Sequence, residues 1–243
     1  MHIIYPNVCA FCGEVMEFNK AGLYICSECM EKVDFCANKE CCRICGTPLN
    51  NERYNRCDGC YNKLRNKIPI YYERIASVCE YNENSKPGIL RYKKSGIPAV
   101  MNTYAALIQG TVLSNFDGVE FDLVVAVPPR ADRMKEIGFD QSHYLAKRTA
   151  KRMNVKYARK GLKRVRKTEK QTSLNQHLRQ QNLAGAFEFV KSTDLVRNKT
   201  VLVIDDVTTT GATINECARA LRAAGADKVY GATIATTAGN SEG

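Results

Sequence analysis

Two adjacent aspartates, Asp205 and Asp206, directly follow the apolar run VLVI at residues 201–204 and precede the turn VTTTGAT at residues 207–213. An apolar run bounded by turn residues is typical of a strand buried on both faces of a parallel sheet. Carboxylates at its end need partners, because an unpaired buried charge is costly. Successive backbone N–H groups around one glycine, at the start of a helix, favour a phosphate. The pattern predicts a sugar-phosphate site, with sugar hydroxyls on the aspartates and the phosphate in the turn.

Two other phosphate-binding motifs are excluded by the same residues. A P-loop requires GxxxxGK(S/T), and no lysine follows Gly211. A dinucleotide-binding turn requires GxGxxG, whereas this turn contains a single glycine. The VLVIDD run therefore cannot act as the Walker B strand of a P-loop enzyme.

A second chemical signal is the clustering of ten of the twelve cysteines before residue 61. Each CxxC pair directs two sulfurs to one point, and two pairs complete a tetrahedral zinc site. The four pairs form an internal repeat, since Gly13 and Gly46 follow the first and third pairs. The repeat predicts two structural zinc sites paired sequentially rather than cross-braced. The predicted ligands are Cys9, Cys12, Cys26 and Cys29 for one site and Cys42, Cys45, Cys57 and Cys60 for the other. Cys36 and Cys41 leave an alternative open, because Cys41 can replace Cys42.

Length and charge indicate a basic globular protein with two parts. The 243 residues carry a formal net charge of +11, which two zinc-bound sets of four thiolates would reduce to roughly +7. A basic protein favours anionic ligands such as phosphates or nucleic acid. No apolar run approaches the ~18 residues of a membrane span and no signal-peptide pattern is present, so we expect a cytoplasmic protein whose cysteines bind metal.

Alternating strand and helix patterns occupy the rest of the chain. Strands are predicted at RIASVCEY, FDLVVAVP, AFEFV, VLVIDD and KVYGATIA, and helices at AVMNTYAALIQGTVL, QSHYLAKRTAKRM and ATINECARALRAAG. Strand–helix–strand units with short links predict an α/β fold with a mostly parallel sheet. We expect a zinc-binding domain at residues 1–66 and an α/β domain at residues 67–243.

Three segments together resemble the ComF (ComFC, GntX-like) family. VLVIDDVTTTGAT resembles the phosphoribosyl pyrophosphate (PRPP) motif of type I phosphoribosyltransferases. VAVPPRADRMKEIGFDQSHYLA at residues 125–146 and KTEKQTSLNQHLRQQNLAGAF at residues 167–187 are similar to two further family segments, and the cysteine-rich head fits as well. One departure is IGFD at residues 137–140, where the family usually has RGFN.

The resemblance implies a type I phosphoribosyltransferase fold and a set of ligand contacts. It implies that Asp205 and Asp206 bind the ribose hydroxyls and that Pro128, Arg130 and Arg133 approach the pyrophosphate and its Mg²⁺. Residues 163–182 would close over the site, with Lys170 and Arg179 as catalytic cations that neutralise the leaving group. The 5′-phosphate would lie against Val207, Thr208, Thr209, Thr210, Gly211, Ala212 and Thr213.

A basic run adds a second functional hypothesis, because Glu169 is the only acid between residues 147 and 170. Such an excess of one sign fits phosphate neutralisation along a nucleic acid. The candidate contacts are Lys147, Arg148, Lys151, Arg152, Arg159, Lys160, Lys163, Arg164, Arg166 and Lys167. The resemblance implies handling of single-stranded DNA during natural competence, with other DNA-uptake proteins as partners and a homodimer as the assembly. Nucleobase or amido phosphoribosyl transfer of the salvage type, and a non-catalytic DNA-binding scaffold, remain alternatives.

Overall fold

A five-stranded parallel sheet forms the centre of the molecule. The computed structural model describes residues 6–18, 20–49, 55–94, 96–130, 138–166 and 183–237. The strand order is β1-β7-β6-β2-β3, and every neighbouring pair is parallel. The strands are β1 (Arg74–Glu80), β2 (Leu123–Ala126), β3 (Lys156–Tyr157), β6 (Thr200–Thr208) and β7 (Lys228–Thr236). The predicted α/β class with a mostly parallel sheet is confirmed.

A separate antiparallel pair lies outside this sheet. It consists of β4 (Leu162–Arg164) and β5 (Phe187–Phe189), paired from Leu162 opposite Phe189 to Arg164 opposite Phe187. The segment AFEFV is therefore a strand as predicted, but it does not join the main sheet. The short strands β3 and β4 were not predicted from the sequence.

Helices cover both faces of the sheet. They are α3 (Lys86–Lys94), α4 (Pro98–Asn115), α5 (Gln141–Met153) and α6 (Ala212–Ala223). The side chains of β6 alternate between the faces: Leu202 and Ile204 pack with α4 and α5, whereas Val201 and Val203 pack with α6. All four side chains are fully buried. This explains why the strand is apolar at every position instead of at every second one.

The direction of chain crossing reverses between β2 and β6. From β2 the chain passes through α5 to β3 at one edge, and from β6 it passes through α6 to β7 on the other side. In open parallel sheets, ligands bind beyond the carboxyl ends of the strands at this kind of reversal. The end of β6, where the two aspartates lie, is next to that crevice.

The cysteine-rich segment shares its core with the sheet domain. It contains two short helices, α1 (Ser27–Lys32) and α2 (Asp58–Arg65). Phe11 is fully buried, with its ring centroid 5.9 Å from that of Phe35 and 5.6 Å from that of Tyr104 on α4. The Tyr104 hydroxyl donates to the carbonyl oxygen of Ala10 at 2.9 Å. The head and the sheet domain therefore pack against each other. The boundary predicted after residue 66 falls directly after the end of α2.

Within the described ranges, none of the helices combines the length and apolar character needed to cross a membrane.

Candidate functional site

The two adjacent aspartates occupy consecutive positions near the carboxyl end of β6. Their side chains face opposite sides of the strand because the side-chain period of a strand is two. The Asp206 backbone N–H donates to Oδ1 of Asp205 at 2.9 Å. Oδ2 of Asp206, a buried residue, lies 3.2 Å from Nζ of Lys93 on α3. One carboxylate therefore has a cationic partner inside the crevice.

Asp205 is an unusually basic carboxyl group. Burial, followed by repulsion from the neighbouring Asp206 carboxylate, raises the pKa of Asp205 from 3.8 to about 7. The cations of Lys93 and Arg164 oppose this increase only partly. Perturbed carboxyl groups of this kind are concentrated at functional sites. Donors from a ligand, such as sugar hydroxyls, would stabilise the charged form.

The turn after β6 has the geometry of a phosphate-binding loop. Gly211 has a φ of 72° and occupies the N-cap position of α6. The first N–H groups of a helix have no acceptor within it, and the helix dipole adds positive potential there. A Cβ atom at position 211 would lie 2.9 Å from the Tyr72 hydroxyl oxygen and 3.1 Å from Cδ1 of Ile75. Both the positive φ and this close approach require glycine.

The end of β2 brings a second loop beside the aspartates. The Val127 N–H continues the pairing of β2 with β6 by donating to the Ile204 carbonyl oxygen at 2.9 Å. Pro128 and Arg130 follow directly and are half-buried. The predicted contacts Arg133, Lys170 and Arg179 lie outside the described residues, as do Lys167 and most of the predicted closing segment 163–182.

Two lysines that the sequence did not single out belong to the site. Lys93 pairs with Asp206, and Nζ of the buried Lys63 on α2 donates to the Thr210 carbonyl oxygen at 2.6 Å. Both come from segments distant in the chain, and Lys63 is separated from Thr210 by 147 positions. No local sequence pattern marks either residue, because each contact depends on the tertiary fold.

The thiols of the head form two sets of four, and each set fits a tetrahedral zinc ion. The sets are Cys9, Cys12, Cys26 and Cys29, and Cys42, Cys45, Cys57 and Cys60, with all sulfurs of a set within 4.8 Å of one another. A Zn–S bond of 2.3 Å implies sulfur–sulfur distances of about 3.8 Å in a tetrahedron. The Cys12–Cys26 and Cys45–Cys57 sulfurs lie 3.7 Å and 3.5 Å apart.

The grouping of the sulfurs is sequential, and both sets use glycine turns. Gly13 and Gly46 have φ angles of 86° and 72°, and their N–H groups donate to the carbonyl oxygens of Cys9 and Cys42. Hydrogen bonds from the other thiols of its set hold the pKa of Cys42 well below its ordinary value. Cys36 and Cys41 belong to neither set; the Cys41 thiol instead contacts the Cys36 carbonyl oxygen at 3.7 Å. Four thiols without an open position indicate structural zinc.

The basic run forms an exposed surface along α5 and the residues after it. The Arg148 Nε–H donates to Oδ1 of Asn102 at 2.8 Å, and its guanidinium lies 5.6 Å from the ring centroid of Tyr144. The Arg152 Nε–H donates to Oε1 of Gln109 at 3.1 Å. The predicted contacts Lys147, Lys151, Arg152, Arg159, Lys160, Lys163 and Arg166 are exposed, as is Lys156. Arg164 is half-buried and its guanidinium lies 4.5 Å from the Phe187 ring centroid.

Comparison with known proteins identifies both parts of the chain. Residues 140–242 match the phosphoribosyl transferase domain, and residues 1–62 match the double zinc ribbon domain. The chain is 28% identical over 227 residues to the DNA utilization protein YhgH of Escherichia coli (strain K12), covering 92% of this chain and 94% of that protein. The predicted type I phosphoribosyltransferase fold behind a zinc-binding head is confirmed.

Two relatives carry names connected with competence. The chain is 25% identical over 224 residues to Competence protein F of Haemophilus influenzae, covering 91% of this chain and 93% of that protein. It is 24% identical over 201 residues to Competence protein ComFC of Bacillus subtilis, covering 81% of this chain and 77% of that protein. These homologues bear out the resemblance drawn from the sequence motifs.

Proposed function

We propose that this chain, a ComF-family protein built from a double zinc ribbon and a phosphoribosyl transferase domain, binds PRPP at the carboxyl end of β6. The observation that carries the proposal is the placement of Asp205 and Asp206 directly before a glycine turn that caps α6. A ribose 5-phosphate presents two hydroxyl donors on its ring and a phosphate at its other end. The acids accept from the hydroxyls, and the turn at residues 208–213 receives the phosphate.

The proposed reaction is transfer of phosphoribose from PRPP to an acceptor. The bond from the anomeric carbon to the pyrophosphate oxygen breaks, the sugar becomes cation-like, and the acceptor forms the new bond. The carboxylates of Asp205 and Asp206 orient the ribose and stabilise its positive charge. Mg²⁺, for which carboxylate and phosphate oxygens are suitable ligands, would supply positive charge to the departing pyrophosphate when bound.

Cationic side chains complete this arrangement in the proposal. Arg130 and Arg133 follow β2 toward the pyrophosphate, and Lys170 and Arg179 neutralise its charge as it leaves. Residues on either side of the segment that carries Lys170 and Arg179 form hydrogen bonds with other parts of the domain. The Arg166 guanidinium donates to the Ala184 carbonyl oxygen at 2.8 Å, and the Gly185 N–H donates to Oε1 of Glu216 at 2.7 Å.

PRPP binding is tested by calorimetric titration of zinc-replete protein, with and without Mg²⁺. We expect saturable binding by the wild type and loss of binding in the Asp205→Asn/Asp206→Asn double variant. Circular dichroism and zinc content establish that the double variant is folded. Absence of binding to folded wild-type protein would refute the proposal and leave the fold as a scaffold.

The acceptor decides between the remaining functional classes. Pyrophosphate release is measured after addition of nucleobases, an ammonia donor or single-stranded DNA to the PRPP complex. Release with nucleobases or ammonia would indicate a salvage or amido transferase, and release with DNA would join both activities in one reaction. Binding without release under all conditions would indicate that PRPP acts as a regulator.

A second proposed function, binding of single-stranded DNA, depends on the basic surface of α5. Residues 147–166 contain ten lysines and arginines and no acid, and the exposed Tyr144 supplies an aromatic face for a base. A role in DNA uptake together with other DNA-uptake proteins is part of this proposal, and the names of the two competence relatives support it. The cytoplasmic location and the homodimer stay predictions from the sequence resemblance.

DNA binding is tested by fluorescence anisotropy with a labelled oligothymidine over a series of salt concentrations. We expect the Lys147→Gln/Lys151→Gln/Arg152→Gln variant to lower the slope of log K against log salt by about 2, at about 0.7 per phosphate contact. The control variant, Lys20→Gln/Lys191→Gln/Lys228→Gln, removes the same charge from exposed positions elsewhere. Equal effects of the two variants would contradict a site on α5.

A further inference from the structure

The second zinc ribbon, which carries Cys42, Cys45, Cys57 and Cys60, contacts the backbone of the phosphate-binding turn. Lys63 lies on α2, three residues after the zinc ligand Cys60 and six after Cys57, which is the N-cap residue of that helix. Lys63 is 6% exposed, although lysine is almost never buried without a partner. Its Nζ donates to the Thr210 carbonyl oxygen at 2.6 Å. A zinc-fixed helix therefore delivers a buried ammonium group to the turn at residues 208–213.

The linker after α2 is attached to the first turn of α6, directly after the phosphate-binding turn. The Tyr71 N–H donates to Oδ1 of Asn215 at 2.8 Å, and the Asn215 side chain donates to the Pro69 carbonyl oxygen at 3.1 Å. The Ile75 N–H donates to the Ile44 carbonyl oxygen, which lies between two zinc ligands, at 2.8 Å. The second ribbon and its linker are thus connected at two points to Asn215, just after the turn, and at one point to β1.

Two buried hydroxyl groups at the turn lack a hydrogen-bond partner among the described residues. They belong to Thr210 and to Tyr72, which is 4% exposed and lies beneath Gly211. Buried polar groups of folded proteins are nearly always satisfied, so a water molecule or a ligand oxygen would complete these two hydroxyls. Both hydroxyls can donate to an oxygen of a phosphoryl group.

We propose that Lys63 is a positioning residue that couples the second zinc site to the phosphate-binding turn. Zinc held by Cys42, Cys45, Cys57 and Cys60 fixes α2, and Lys63 in turn fixes the Thr210 carbonyl and adds positive charge behind the turn. Zinc in this set and a phosphoryl ligand in the turn then stabilise each other, because coupling between two binding sites is reciprocal. This coupling builds on the proposed PRPP site. Among the described residues, the first ribbon contacts α3, the helix that carries Lys93, where the Arg91 guanidinium donates to the Cys12 carbonyl oxygen at 2.7 Å.

The first test needs no ligand. Hydrogen exchange of the amides at residues 208–213 is compared among the wild type, Lys63→Met, Lys63→Arg and Arg65→Met. Arg65 is on the same helix but exposed, so its variant removes one charge without touching the turn. We expect at least about fivefold faster exchange in Lys63→Met, no change in Arg65→Met and partial recovery in Lys63→Arg, which retains N–H donors.

The second test uses PRPP and the zinc of the holo-protein. We expect the dissociation constant for PRPP to rise about tenfold in Lys63→Met and to stay unchanged in Arg65→Met. Saturating PRPP should slow release of one zinc ion per wild-type chain to a chromophoric chelator, and this slowing should disappear in Lys63→Met. Two zinc ions per chain in each variant show that the ribbons are folded.

The outcomes separate this inference from the proposed function. Unchanged amide exchange in zinc-replete Lys63→Met would overturn the positioning role. A Lys63→Arg variant that binds two zinc ions but exchanges these amides as fast as Lys63→Met would overturn it as well. If the wild type binds no PRPP, the proposed function fails, while the exchange experiment still decides the role of Lys63. PRPP binding that is equal in wild type and Lys63→Met would overturn the coupling and leave the proposed function intact.

Discussion

Replacement of Asp205 by asparagine should stabilise the ligand-free protein at neutral pH. Asparagine has nearly the same size and retains the oxygen that accepts from the Asp206 N–H at 2.9 Å. It removes a carboxyl group whose pKa is raised to about 7 in the folded state by burial and by the Asp206 carboxylate, against an ordinary value of 3.8. The folded wild type binds this proton more tightly than the unfolded chain, so its stability falls as the pH rises through this interval.

The magnitude follows from the two pKa values. One pKa unit corresponds to about 1.4 kcal/mol, so the full shift costs about 4 kcal/mol once the group is ionised in both states. Well below the ordinary value of 3.8 the group is protonated in both states and contributes nothing. The stability advantage of Asp205→Asn should therefore grow by about 2–3 kcal/mol between pH 5 and pH 8 and become constant above that.

Urea unfolding of zinc-replete protein at pH 5, 6, 7 and 8 measures this difference. Both chains carry the same cysteines, so the pH dependence of zinc binding cancels in the comparison. The Asp227→Asn variant, at an exposed position, corrects for the change in net charge. A difference in the free energy of unfolding that is constant over this pH range would refute the reasoning, and so would an asparagine variant that is less stable at every pH. Either result would show that the Asp205 carboxylate does not destabilise the ligand-free protein.

Three further predictions concern the turn and the zinc ribbons. Gly211→Ala should lower the free energy of unfolding by about 1–3 kcal/mol, and by more than Gly118→Ala. Both glycines have a positive φ, but of the two only Gly211 has neighbours within 4 Å of the added Cβ. Urea unfolding of both variants measures the two costs, and equal costs would contradict the close approach to Tyr72. Phe11→Ala should cost about 3–5 kcal/mol in the same assay, since the ring is fully buried between Phe35 and Tyr104; a loss below about 1 kcal/mol would argue against a shared core. Removal of zinc by a strong chelator should lower the melting temperature of the whole chain. Circular dichroism at a sheet-sensitive wavelength measures it, and an unchanged melting curve would show that the ribbons and the sheet domain fold independently.

The elements with strong local patterns were predictable from the sequence. The run at residues 201–204 is apolar at every position because β6 is buried on both faces, and the helix after Gly211 has apolar residues at regular helical spacing. The sequential grouping of the cysteines followed from the repeated CxxC and glycine pattern, because each ribbon closes within about 20 residues of chain.

Elements that depend on tertiary contacts were not predictable. Helix α3 contains Pro87 and Gly88 in a basic segment of low helix propensity, and it forms where Gly88 allows close approach to Ala10 and Phe11 of the first ribbon. The strands β3 and β4 have two and three residues, too few for a periodic pattern. The same reason applies to Lys63, whose partner is the backbone of a distant turn.

The central claim is that the turn at residues 208–213 receives the 5′-phosphate of a sugar held by Asp205 and Asp206. Phosphorus NMR of PRPP tests it most directly, because the 5′-phosphate and the two pyrophosphate groups give separate resonances. We predict that zinc-replete wild-type protein broadens and shifts the 5′-phosphate resonance, and that the Asp205→Asn/Asp206→Asn variant does not. Unchanged resonances, or changes confined to the pyrophosphate groups, would contradict the account.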